Sequence, residues 1–174
     1  MLASTIGETG KQLRKEISEI VFTTSNIREI LRHGVKHPDL QKLGIEILTS
    51  LAMEDDATER IGSTGGVLRV LLNIFFRKQV VGDHQDHVRT AAGEALAMLV
   101  LESENNCRRV LKLGALEMLV EALEFPLLRI NAARILRNLC TYSTKDCTLE
   151  LRGITGAVPI VSFSTGFRDS YIEK

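Results

Sequence analysis

Apolar residues along this chain recur at the spacing of helices rather than strands. In NAARILRNLC (131–140), Ala132, Ala133, Ile135, Leu136, Leu139 and Cys140 fall on one broad stripe. Asn131, Arg134, Arg137 and Asn138 fall on the opposite side, which predicts an amphipathic helix with a polar outer face. Two stretches upstream carry the same pattern: LGIEILTSLAM (43–53) and TAAGEALAMLV (90–100). Leu48, Leu96 and Leu136 mark equivalent positions in the three, with Leu51, Leu99 and Leu139 one turn later. A second element repeats in phase with the first. GGVLRVLLNIF (65–75) aligns with GALEMLVEALEF (114–125), setting Val67 on Leu116 and Val70 on Leu119, and GAVPIV (156–161) begins a third copy. Two markers with a common period in the forties predict an α-solenoid, in which each unit buries its apolar face against its neighbours.

The punctuation fits helices of that length. Gly34 is expected to end one helix and His37-Pro38-Asp39 to open the next, with proline tolerated in the first turn. Phe125-Pro126 is expected to separate two helices, GSTGG (62–66) to form a turn, and Asp86 to cap the helix that follows it.

These stretches resemble the armadillo repeat superfamily. That family's unit has a short first helix, a second opened by Gly-Ala or Gly-Gly before an aliphatic residue, and an Ala/Leu-rich third ending in A-L-x-N-L. KLGALEMLVEALEF followed by INAARILRNLC matches over 112–140, and the likeness extends to plant armadillo-type proteins. HEAT units have two helices and lack the glycine opening. The resemblance implies an all-α fold: a right-handed α-solenoid (α-α superhelix) of about three armadillo repeats plus a truncated fourth. The repeats are expected at about 11–54, 55–103 and 104–142, with a partial one at 143–161 and an irregular tail at 162–174. A last repeat cut short in this way implies a fragment or short isoform with an apolar, uncapped edge open to self-association.

The resemblance also implies where a partner binds. Third helices of the family line a groove, and the asparagine of A-L-x-N-L grips the backbone of an extended peptide, offering it both donor and acceptor. Asn138 occupies that position here, with Met98 and Ser50 as its equivalents. One turn earlier stand Arg134, Glu94 and Glu46, and Arg137 adds a second cation. The groove is thus expected to be acidic at one end and basic at the other, unless Glu94 and Arg134 simply pair across neighbouring helices. The chain has no tryptophan, so the tryptophan–asparagine grip of nuclear-import adaptors is missing.

Composition adds mainly exclusions. The 174 residues suffice for one domain with a core, and 22 basic against 22 acidic residues leave no net charge to favour nucleic acid. Three cysteines (Cys107, Cys140 and Cys147) lack C-x-x-C spacing, which fits a reducing compartment, cytoplasmic or nuclear. The N-terminal stretch has no signal-peptide pattern. VLRVLLNIFF (67–76) is half the ~20 residues a membrane helix needs. DHQDH (83–87) departs from the spacing of zinc hydrolases and reads as a loop, GSTGG lacks the Lys of a phosphate loop, and CRRVLK (107–112) reads as a solvated face. Cys140, on the apolar stripe, reads as a buried core thiol. No cofactor, metal or catalytic constellation is expected. The function implied is a non-catalytic scaffold that binds another protein or an extended peptide. The alternatives are the substrate-recruiting part of a larger enzyme, such as a U-box ubiquitin ligase, and an inactive fragment.

Overall fold

Every regular element of the computed structural model is helical; it describes residues 7–19, 22–78 and 85–143. Among these residues nine α-helices follow one another: α1 (Glu8–Glu19), α2 (Thr23–His33), α3 (Pro38–Leu51), α4 (Asp55–Ser63), α5 (Val67–Phe75), α6 (Asp86–Leu99), α7 (Glu104–Lys112), α8 (Ala115–Ala122) and α9 (Pro126–Tyr142). The expected partial repeat and tail, from 144 onward, lie outside the described residues, as do His84 and Asp83 of the DHQDH stretch.

The long helices α3, α6 and α9 form a row with α6 in the middle, and α2, α5 and α8 pack behind them respectively. Leu48, Leu96 and Leu136 are all buried (0%, 0% and 2% exposed), as are Leu51, Leu99 and Leu139, so the leucine alignment has the right phase. Small residues bring the row together. A Cβ on Gly93 would lie 2.6 Å from Cε2 of Phe75 and 2.8 Å from Cβ of Asn131, so the glycine lets α5 and α9 both approach α6 at this point.

One capping device recurs three times. The first turn of each long helix carries a side-chain donor aimed at the end of the helix before it, where backbone carbonyls lack intrahelical partners. Gln41 Nε2 donates to the Leu31 carbonyl, Arg89 Nε to Phe75 at 3.5 Å, and Arg129 Nε to Leu123 at 2.7 Å. A second device ties each long helix to the one that follows: Thr58 Oγ1 donates to the carbonyl of Ala52 (2.9 Å) and Cys107 Sγ to that of Val100 (3.2 Å). These carbonyls belong to the C-cap residues of α3 and α6.

Several expectations need correction. The glycines that open α5 and α8 in the left-handed conformation are Gly66 (φ 96°) and Gly114 (φ 70°), 48 positions apart. Val67 therefore corresponds to Ala115, one residue from the expected Leu116, and buried Leu71 to buried Leu119. The N-cap of α6 is Gln85, whereas Asp86 is the first helical residue and pairs with Arg89. Pro38 and Pro126 do open α3 and α9. Cys140, two residues from the end of α9, is exposed, and Cys107 is the buried thiol.

Candidate partner-binding groove

On the open side of the row, α3 and α6 enclose a shallow depression of about 700 Å³ whose walls include Glu46, Ser50, Glu94, Thr49 and Thr90. The helical repeat sets this composition: Glu46 and Ser50 are four apart on one face of α3, and Thr90 and Glu94 on one face of α6. Lys42 Nζ sits 3.2 Å from Glu46, so the α3 rim carries charge of both signs, and His87 Nε2 lies 3.9 Å from Asp39 Oδ1. Leu127, at the start of α9, supplies an apolar edge. Lys42, Thr90 and His87 were not anticipated, although Lys42 and Thr90 each precede an anticipated glutamate by one helical turn.

The other anticipated residues separate. Met98 opens into a different recess, beside Met53 and Leu101. Arg134 and Arg137 are exposed on α9. Among the described residues Glu94 and Arg134 form no ion pair with one another; the Arg134 guanidinium donates instead to Asn131 Oδ1 at 3.4 Å.

Asn138 does not face the groove. It is 3% exposed, and its Nδ2 donates to the Ala97 carbonyl of α6 at 2.9 Å. Its Oδ1 accepts from Arg137 at 3.3 and 3.4 Å. Asn131, also placed on the polar face by the sequence pattern, is buried as well and donates to the Thr90 carbonyl at 3.1 Å. Two asparagines seven apart thus stitch α9 to α6. A third, Asn106 on α7, is wholly buried and donates to the carbonyls of Thr58 (3.0 Å) and Leu99 (2.8 Å). Their amides satisfy buried carbonyls of neighbouring elements, which a helix assigned to solvent would leave to water.

The Cys140 thiol is pushed above its ordinary range by partial desolvation, which lowers its thiolate fraction and its reactivity. Among the described residues no group of three His, Cys, Asp or Glu side chains converges on a common point, and no helix is long and apolar enough to cross a membrane. Comparison with protein-family models, with curated proteins and with solved structures gives no match to this chain.

Proposed function

We propose that the chain is an armadillo-type helical-repeat scaffold of the cytoplasm or nucleus, non-catalytic, which holds an extended segment of another protein along α3, α6 and α9. The repeat assignment rests on the recurring order of two shorter helices and one longer one, and on the capping devices that return with it. What carries the binding assignment is the character of the open surface. Leu43, Leu127 and Ile130 (71% exposed) stand on the long helices, among charged and hydroxyl side chains. Exposed apolar groups set among charged and hydroxyl groups are the composition of a recognition surface rather than of a simply solvated helix face. Glu46, Ser50 and Glu94 form the contact zone at α3 and α6, and Arg134 and Arg137 extend it along α9, favouring a partner with basic residues at one end and acidic ones at the other.

A photo-crosslinking amino acid placed at Thr90, inside the depression, tests this reading. Proteins captured by the otherwise native chain should be lost when Glu94→Lys and Arg134→Glu are combined, and retained with Lys11→Glu. Capture of the same proteins by all three forms would overturn it.

A further inference from the structure

A second surface, independent of the groove, lies where α2, the α4–α5 turn, α5 and α7 meet. They enclose a cleft of about 770 Å³ lined by six cations: Arg28, Arg32, Arg69, Arg77, Arg109 and Lys112. No carboxylate is among the described residues of its lining. In a chain with 22 basic and 22 acidic residues, such a cluster does not follow from composition.

The cleft is also built. Arg28 Nη1 donates to the Gly65 carbonyl at 2.8 Å, and a Cβ on Gly65 would lie 2.4 Å from that nitrogen, so the glycine makes room for the guanidinium. Arg109 is held by the Asn106 amide oxygen at 2.8 Å, and Arg77 donates to Gln85. Arg69 and Lys112 have no acceptor among the described residues. At the rim, the hydrogen bond from Arg28 holds the Glu29 carboxyl below its ordinary range, reinforced by the charges of Arg28, Arg32 and His33.

We infer that this cleft is a docking site for an acidic peptide segment of a partner protein, whose carboxylates pair with Arg69, Lys112 and the fixed guanidinium groups. Arginine presents a planar fork of donors matched to carboxylate geometry, and fixed arginines lose less freedom on binding. Leu31, Leu68 and Leu113 give the same cleft an apolar floor for the peptide's side chains. Single-stranded nucleic acid fits less well, because no aromatic side chain lines the walls for base stacking. An anionic membrane fits less well too, because the cations line a recess rather than a protruding apolar face.

The experiment uses fluorescence anisotropy with a labelled peptide of alternating glutamate and leucine. Parallel titrations use a labelled oligouridylate and vesicles containing phosphatidylserine. Arg69→Glu with Lys112→Glu should weaken the peptide at least about tenfold, while Lys11→Glu with Lys36→Glu, an equal change in net charge on other surfaces, leaves it unchanged. Arg69→Gln with Lys112→Gln should give an intermediate loss, and the urea midpoint of each variant shows that it is folded. Equal weakening by both charge reversals, no peptide binding by the native chain, or tighter cleft-dependent binding of the RNA or the vesicles would overturn the inference.

Discussion

Asn138 and Asn131 sit seven positions apart on α9, and each donates to a backbone carbonyl of α6. The side chain of Asn138 is therefore part of the packing between two helices. Ala97 lies in the last turn of α6, where carbonyls lack intrahelical partners, so removing the amide leaves one stranded in a dry contact. Asn138→Ala should lower stability by about 1–3 kcal/mol in urea unfolding, the cost of an unsatisfied buried polar group. A peptide-gripping asparagine on an open face would show almost no change. The polar pattern misassigned both residues because a helical wheel scores asparagine as solvent-facing. It has no means of detecting an acceptor that lies 41 residues away in the chain.

Among the elements, α6 carries the heaviest load, since it touches α3, α5 and α9. Leu96 is fully buried at the centre of that contact, and Leu96→Ala should cost about 2–5 kcal/mol through lost burial and the cavity left behind. Gly93→Ala, which adds only a methyl group, should cost about 1–3 kcal/mol, because Phe75 and α9 both stand where the methyl must go. A loss below about 0.5 kcal/mol for either, measured by urea unfolding, would mean that the packing around α6 differs from that described. The leucines of this helix were legible from periodicity alone. The one-residue slip at α5 and α8 was not, since Gly65 and Gly66 are equivalent in sequence and only Gly66 has the strongly left-handed conformation that opens α5.

At the scale of the whole molecule, the buried apolar side chains of the described residues form one continuous cluster, and Cys107 reports on that interior. Its sulfur lies between the Val100 carbonyl and that of Asn138, at the junction of α6, α7 and α9. In a Cys147→Ser background, Cys107 should react with a thiol reagent only when these helices separate, at a rate that tracks global opening. Cys140 should react from the folded state. Its thiol is held above the ordinary range, so less of it is thiolate at neutral pH, and its labelling rate should keep rising at alkaline pH where an ordinary thiol has levelled off. Rapid labelling of Cys107 in native protein would contradict the packing of α7.

Helix content, the breaks at Pro38 and Pro126 and the phase of the buried leucines were readable in the chain because each depends on neighbours within a few turns. The spacing of Glu46 and Ser50 on one face of α3 was readable for the same reason, whereas Glu94 joins them only because α3 and α6 pack side by side. The fates of Asn106, Asn131 and Asn138, and the burial of Cys107 rather than Cys140, depend on which distant carbonyl or helix each side chain meets. The cationic cleft depends on this still more. Its arginines and lysine come from three helices and the residues just after α5, spread over 85 positions of a neutral chain, and only folding concentrates them at one place.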